Sequence, residues 1–243
     1  PDQVVTARRL EDGTGYMRVS MFPGVIGMDV ARDMSRAVAE LNAERLVVDL
    51  RGNSGGGIGC LRLMSLLCTD RRGVGYSVSK ATAAKGYRKE DLPVFDRIPT
   101  SKWGALALVP KFALAKRSVA VFTEALGVHA HHRRTAILVN EHSASASEMV
   151  AAFAQENGLA TLVGTKTAGR LVAASAFKVG HGYRVALPVA EYYTWAGTTL
   201  EGVGVVPDLV VPAAAAEVAS RKDPVLMSAL QRVAEPSPQR ALS

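Results

Sequence analysis

The stretch Ala136-Ile-Leu-Val-Asn140 is followed by Ser143-Ala-Ser-Ala-Ser-Glu148 and then by Met149-Val-Ala-Ala-Phe-Ala-Gln155. The apolar run and the helix-forming residues after it predict a strand that turns into a helix, with small hydroxyl residues at the turn. Such a turn lifts one hydroxyl out of the packing, and the unpaired N–H groups of the first helical turn suit a developing oxyanion. Taken by itself, the turn favours an ordinary N-cap over a nucleophilic serine.

A glycine cluster follows a second apolar strand. Leu46-Val-Val-Asp-Leu50 is rich in β-branched residues and leads into Arg51-Gly-Asn-Ser-Gly-Gly-Gly57. Glycines at the end of a strand let backbone N–H groups come close to a ligand. No Gly-Lys-Ser/Thr follows them, so the cluster is not a phosphate loop.

Together these segments resemble the C-terminal processing, or tail-specific, serine peptidases of the S41 type, a family that includes the tricorn core and the retinoid-binding repeats. Four motifs occur in the family's order, namely DLRGNSGG at 49–56, VNEHSASASE at 139–148, VGTKTAG at 163–169 and EGVGVVPD at 201–208. The resemblance implies an α/β fold of the ClpP/crotonase type, a spiral of strands and helices in which the nucleophile opens a helix.

Carried over residue by residue, the resemblance makes Ser145 the nucleophile. The backbone N–H groups of Ala146 and of Gly55 or Gly56 then form the oxyanion hole. Ser143 and Ser147 become neighbours that cap and pack. The residues alone do not choose among the three serines, so the assignment rests on the family.

The chain departs from the common family pattern at the base. Where the Ser-Lys members carry a lysine and a glutamine, this sequence has Arg170 and Ala174. A guanidinium stays protonated, with a pKa above about 12, so Arg170 cannot accept the serine proton. The ordinary Ser-Lys dyad is therefore absent, as in the tricorn-core and retinoid-binding-repeat subgroup.

Three alternatives remain for the base. Lys166 would need burial to lower its pKa, and an exposed lysine on a turn is the favoured reading. The tricorn-like branch uses a histidine from an upstream segment together with a glutamate near the GVxPD motif, where Glu201 stands either to orient that histidine or to brace the turn. In the third alternative no base exists, and the fold is an inactive module that binds a hydrophobic ligand or a peptide.

The other polar candidates are weaker. His142 lies on the approach to the turn, which favours a structural or solvent-facing role. The run His129-Ala-His-His-Arg-Arg134 could suggest a metal site, but its two arginines repel a cation, so we expect no metal and no cofactor. Asp49 ends its strand and is expected to fasten the glycine loop.

Composition excludes several classes of protein. The 243 residues are 48% hydrophobic, which supports a sizeable core and excludes a disordered or fibrous chain. The net charge of +7 comes from scattered residues without a nucleic-acid-binding motif, so no nucleic acid partner is expected. No apolar run is long enough to span a bilayer. Cys60 and Cys68 lie about 12 Å apart along one predicted helix, too far for a mutual disulfide.

The segment pattern alternates strands and helices, as an α/β domain should. We expect a peptidase core over residues 1–235, an insertion outside the sheet at about 81–117 and a flexible tail over 236–243. By the resemblance, the PDZ-like domain and the segments upstream of it lie outside this chain. The predicted activity is a serine endopeptidase acting through an acyl-enzyme on unfolded or C-terminal polypeptide segments. The resemblance suggests a bacterial cell-envelope or secreted location and leaves a homo-oligomer open.

Overall fold

The first sheet carries the predicted strand–turn–helix. This computed structural model describes residues 3–24, 27–99, 118–127, 134–212 and 223–235. Within them, a six-stranded sheet has the order β1-β2-β3-β7-β8-β11, antiparallel between β1 and β2 and parallel from β2 onward. Its strands are β1 (Val5–Arg9), β2 (Gly15–Val19), β3 (Arg45–Asp49), β7 (Arg134–Val139), β8 (Thr161–Gly164) and β11 (Leu209–Val210).

A second, mixed sheet has the order β5-β6-β4-β10-β9. The pair β5/β6 is parallel, and the other three pairs are antiparallel. Its strands are β4 (Gly73–Val78), β5 (Val94–Phe95), β6 (Val119–Phe122), β9 (Val172–Gly180) and β10 (Tyr183–Thr194). A register shift after Pro188 accommodates a residue that cannot donate to the ladder.

Helices cover both faces of the first sheet, which is why its central strands are apolar on both sides. The helices are α1 (Met28–Leu41), α2 (Cys60–Leu66), α3 (Lys80–Ala83), α4 (Ala146–Glu156) and α5 (Pro224–Ala234), with a 3-10 turn at Lys89–Asp91. Alternate residues of β3 and β7, such as Val48 and Ile137, join the main core with residues of α1, α2 and α4, whereas Val47 and Leu138 pack with α5. None of the helices in the described ranges is long and apolar enough to cross a membrane.

Most predicted elements are confirmed, including the helix that follows the serine-rich turn. The prediction that residues 81–117 stay outside the sheet is wrong for part of that segment, because β5 pairs with β6 in the second sheet. Residues 100–117 lie outside the described residues, as do the tail 236–243 and the histidines at 129–132. Cys60 and Cys68 are buried free thiols, and burial raises the pKa of Cys60 to about 12.

A buried ion network fixes the end of β3, as expected for Asp49. The Asp49 carboxylate is fully buried and accepts hydrogen bonds from Tyr16, Arg18 and Arg51. Burial would raise the pKa of Asp49, but the hydrogen bonds of Arg51 and Tyr16 together lower it below its usual value. Arg51 also bonds both oxygens of Asp223, the N-cap of α5. The start of the glycine loop is therefore tied to β2 and to α5.

Candidate active site

Ser145 occupies a strained turn between β7 and α4. It is the N-cap of α4, with φ 55° and ψ −117°, a conformation that residues with a side chain rarely adopt. Such backbone costs of the order of 1–3 kcal/mol and persists only where surrounding structure holds it. Its backbone N–H donates to Glu148 Oε2 at 2.9 Å, one half of a capping box. The strain of this turn lowers the stability of the fold, and the turn places Ser145 at the N-terminus of α4.

Hydrogen bonding distinguishes the three serines, among which the residues alone did not identify the nucleophile. Ser143 is fully buried, and its hydroxyl donates to the Leu50 carbonyl at 2.8 Å. Ser147 is also fully buried, and its hydroxyl donates to the Asn53 carbonyl at 3.0 Å. Ser145 lies between them and is only half-buried. Two hydroxyls therefore hold the turn against the loop after β3, and the third faces a more open space.

The glycine loop closes on this turn at Gly55. A Cβ atom added there would lie 2.7 Å from both the Ala144 oxygen and the Ser145 Cβ atom, and 2.9 Å from the Ala146 nitrogen. The loop can approach this closely only because Gly55 has no side chain and adopts a φ of 94°. The motifs at 49–56 and 139–148 are therefore in direct contact.

Two backbone N–H groups next to the contact between Gly55 and Ser145 lack an acceptor within the described part of the chain. Among the described residues, the N–H groups of Ala146 and Gly56 have no hydrogen-bond acceptor. The N–H of Gly55, in contrast, donates to the Asn53 side-chain oxygen at 2.8 Å. Of the two predicted glycine donors, Gly56 is thus the one whose N–H remains available for an oxyanion.

Asn53 is a site residue that the sequence reasoning missed. Its side chain is fully buried; it donates to the Val19 carbonyl and accepts the Gly55 N–H. Its backbone carbonyl accepts from Ala144 N–H and from the Ser147 hydroxyl. One residue thereby connects β2, the glycine loop and the serine turn. An asparagine inside a glycine-rich loop was the available signal.

Replacing Gly55 with alanine is expected to damage this contact. Gly180 provides a matched control, because its φ is 95° and an added Cβ atom would meet nothing within 4 Å. Both substitutions carry a backbone cost of about 1–2 kcal/mol, and Gly55→Ala adds a clash of about 1–3 kcal/mol. Urea unfolding should show the larger loss for Gly55→Ala, and equal losses would contradict the close contact.

Glu148 is a second residue that organises the site. Its carboxylate is fully buried in the first turn of α4. Besides Ser145 N–H, it accepts the Thr167 hydroxyl at 2.7 Å, Gly169 N–H at 2.7 Å and Arg170 N–H at 2.9 Å. Four donors compensate for the burial of this carboxylate. Glu148 therefore fastens the loop between β8 and β9 to the serine turn.

That loop presents its charged side chains to solvent. Lys166 and Arg170 are both exposed, while Thr167 between them turns inward to Glu148. His142 is exposed as well, with its Nε2 atom 3.6 Å from Glu141 Oε1. Within the described ranges, no hydrogen bond joins Ser145 to Lys166, to His142 or to Glu201. Among the described residues, therefore, Ser145 has no hydrogen bond to a side chain that could act as its base.

Glu201 braces the segment that follows the loop. It is exposed, and its Oε2 atom accepts the Leu171 N–H at 2.5 Å. The next residue, Gly202, donates its N–H to the Gly169 carbonyl at 2.9 Å. The turn at 201–202 therefore binds residues 169–171 through hydrogen bonds, and Glu148 binds residues 167–170 of the same segment.

A groove of about 620 Å³ lies beside this segment, between the end of β4 with α3 and the base of the β9–β10 pair. Its walls are mainly apolar and aromatic, and Lys80, Glu191 and Glu201 line it. Tyr192 also lines the groove and is 4% exposed. The remaining lining residues are Val78, Ala83, Tyr87, Leu171, Val172, Pro188, Val189, Ala190, Tyr193 and Thr199.

No group of three or more histidine, cysteine, aspartate or glutamate side chains is arranged to hold a metal ion in the part of the chain that the structure describes. The His129, His131 and His132 run lies outside that part. The described site thus offers a hydroxyl at the N-terminus of a helix and backbone N–H groups without acceptors at Ala146 and Gly56.

Comparisons with known proteins agree with this geometry. The sequence model of Peptidase family S41 matches residues 13–211. The chain is 28% identical over 198 residues to the carboxyl-terminal-processing protease of Picosynechococcus sp., covering 82% of this chain and 39% of that protein. It is 27% identical over 206 residues to the carboxy-terminal-processing protease of Bartonella bacilliformis, covering 84% of this chain and 40% of that protein. The chain therefore spans about two fifths of the length of these relatives.

Solved structures show the same fold. The photosystem II D1 C-terminal processing protease superposes with a TM-score of 0.63 at 19% identity, over 95% of this chain and 51% of that one. The tricorn protease superposes with a TM-score of 0.56 at 21% identity, over 90% of this chain and 17% of that one. These similarities confirm the predicted fold.

Proposed function

Because this chain belongs to peptidase family S41, a family of serine peptidases, we propose that it is a peptidase core in which Ser145 is the nucleophile. The observation that carries the proposal is that the three serines differ in hydrogen bonding, burial and backbone conformation. Ser143 and Ser147 are committed to backbone carbonyls, whereas Ser145 is half-buried on a strained turn at the helix mouth. Strain of this kind is typical of functional sites.

In the proposed reaction, the Ser145 Oγ atom attacks the carbonyl carbon of the scissile peptide bond and loses its proton to a base. The tetrahedral oxyanion is held by the N–H groups of Ala146 and Gly56, each of which is worth about 10²–10³ in rate. Collapse breaks the C–N bond, releases the amine with a proton and leaves an acyl-enzyme on Ser145. Water then hydrolyses the ester and restores the serine.

We place the general base outside the described residues. Arg170 cannot accept a proton, and the exposed Lys166 lacks the burial that a lysine base needs. A histidine from elsewhere in a longer polypeptide, oriented by Glu201, fits the tricorn-like pattern better. Accordingly, the isolated chain is expected to be weakly active or inactive. Robust cleavage by this chain that Lys166→Ala abolishes would overturn this assignment.

The proposed substrates are unfolded chains or C-terminal polypeptide segments. Two observations support this class: the relatives named above are carboxyl-terminal-processing proteases, and an open groove with apolar and aromatic walls adjoins the loop held by Glu148. A bacterial cell-envelope or secreted location belongs to the same proposal, since the bacterial relatives carry the processing function. The proposed function neither requires nor excludes assembly into a homo-oligomer.

The test is cleavage of denatured casein by the longest natural form of the gene product. The wild type should cut casein, and Ser145→Ala should not, while both retain the same unfolding curve. Cutting that survives in Ser145→Ala would refute the proposal.

A binding module is the second candidate function. It is favoured by Arg170 and Ala174 at the family's lysine and glutamine positions, and by the absence of a base bonded to Ser145 among the described residues. In that case, the longest natural form leaves casein intact, and Ser145→Ala changes neither activity nor the binding of peptide or hydrophobic ligand in the groove.

A further inference from the structure

The β9–β10 hairpin extends beyond the rest of the second sheet, because β4 pairs with β10 only at residues 191–194. The strands pair from Gly180 opposite Tyr183 at the tip to Val172 opposite Glu191 at the base. Every residue from 176 to 188 is exposed, and the hydrophobic core clusters of the described residues include none of them. β9 is also the edge strand of its sheet. A two-stranded hairpin is marginally stable alone in water, so a surface of this kind needs an explanation.

The exposed residues of the hairpin are strongly apolar. Tyr183 is 73% exposed, Val179 57%, Leu187 48% and Val185 40%. Tyr183, Val185 and Leu187 alternate along β10 and therefore share one face. Contiguous apolar surface on a protein is usually a contact surface for a partner.

Between residues 171 and 190 the charges of the hairpin are all positive, whereas Glu191 at the base is negative. Residues 171–190 contain no aspartate or glutamate, and Lys178 and Arg184 lie directly opposite each other on β9 and β10. At the base of the hairpin, Arg170 and Glu191 are both exposed and carry opposite charges, so the unbalanced positive charge lies toward the tip. A second copy of the chain would bring the like charges of Lys178 and Arg184 together, and a lysine on an edge strand also discourages edge-to-edge pairing. The positive charges of Lys178 and Arg184 favour an anionic partner. The exposed apolar side chains of the hairpin favour a partner with an apolar interior.

We infer that the tip of this hairpin docks on the surface of an anionic lipid bilayer. Tyr183 and Val179 lie nearest the tip and enter the boundary between headgroups and acyl chains, where an amphipathic tyrosine is favoured. Lys178 and Arg184 face the anionic headgroups. Docking at this depth leaves the rest of the chain in water. The inference does not depend on the chemistry of Ser145, so either can fail alone.

The test is co-sedimentation of the whole chain with vesicles of phosphatidylcholine containing one-third phosphatidylglycerol, and with vesicles of phosphatidylcholine alone. Binding should require phosphatidylglycerol and weaken with salt. Each removed hairpin charge should weaken binding roughly fivefold, measured with Lys178→Ser and Arg184→Ser. Val179→Ser should weaken it roughly tenfold. Ser145→Ala should bind as the wild type does.

Matched controls are available on helices away from the hairpin. Arg32→Ser with Arg36→Ser removes two exposed charges from α1, and Met227→Ser removes an apolar side chain that is 49% exposed on α5. These controls should bind like the wild type. The inference is overturned if the wild type does not bind anionic vesicles, or if the controls lose as much affinity as the hairpin variants. It is also overturned if hairpin substitutions convert a dimer to a monomer in lipid-free solution, because the occupant would then be a second copy.

Discussion

Replacing Ser145 with glycine is expected to end casein cleavage in the longest natural form while leaving the protein as stable as the wild type or more stable. Loss of a serine nucleophile lowers kcat by about 10⁶. The same change removes the side chain from backbone at φ 55° and ψ −117°, where strain costs of the order of 1–3 kcal/mol. Glycine's extra freedom in the unfolded chain opposes this by about 0.4–1 kcal/mol.

The neighbouring serines provide the control for this prediction. Ser147→Ala removes the hydroxyl bound to the Asn53 carbonyl and should cost about 1 kcal/mol in urea unfolding. Ser143→Ala also leaves the Asn140 N–H without its acceptor, so its cost should reach about 1–3 kcal/mol. A Ser145→Gly protein destabilised as much as Ser143→Ala would show that Ser145 is a structural cap.

The second large effect is expected on stability. Glu148→Ala leaves the Thr167 hydroxyl and the N–H groups of Ser145, Gly169 and Arg170 without their shared acceptor. Unsatisfied buried donors cost about 1–3 kcal/mol each, and partial relaxation reduces the sum, so we expect a loss of about 4 kcal/mol or more. Cleavage should fall as well, because the loop beside Ser145 is released.

Glu141→Ala is the matched control for Glu148→Ala. Glu141 also accepts a hydrogen bond from this loop, at 2.8 Å from the Thr165 hydroxyl, but its side chain is 54% exposed. Water replaces the lost partner there, so the expected change in unfolding free energy lies within about 0.5 kcal/mol. Similar losses for the two variants would mean that Glu148 does not hold the loop as described.

The parts of this site that the sequence predicts are the local ones. Periodicity and turn residues are enough to predict β7, the serine turn and α4, because each depends on neighbours in the chain. The spacing of Ser145 and Glu148 likewise signals a capping box. The longer contacts of Glu148, to Thr167 and Gly169, depend on where the loop after β8 returns, which local patterns do not encode.

The choice among the three serines also depends on contacts between distant segments, which local sequence patterns do not encode. Ser143 and Ser147 are distinguished from Ser145 by carbonyls of Leu50 and Asn53, far away in the chain. Only the folded sheet, with β3 beside β7, brings those carbonyls to the turn. The misassigned part of residues 81–117 has a related cause, since the two-residue strand β5 is too short to produce a periodic signal and is recognised only by its pairing with β6.

The most direct measurement is covalent labelling of the longest natural form with a fluorophosphonate, followed by peptide mapping. A reactive nucleophile at the helix mouth predicts a single adduct on Ser145, no adduct in Ser145→Gly, and loss of casein cleavage in proportion to labelling. An adduct on Ser143 or Ser147, or casein cleavage that continues while Ser145 is unlabelled, would contradict the assignment of Ser145 as the nucleophile.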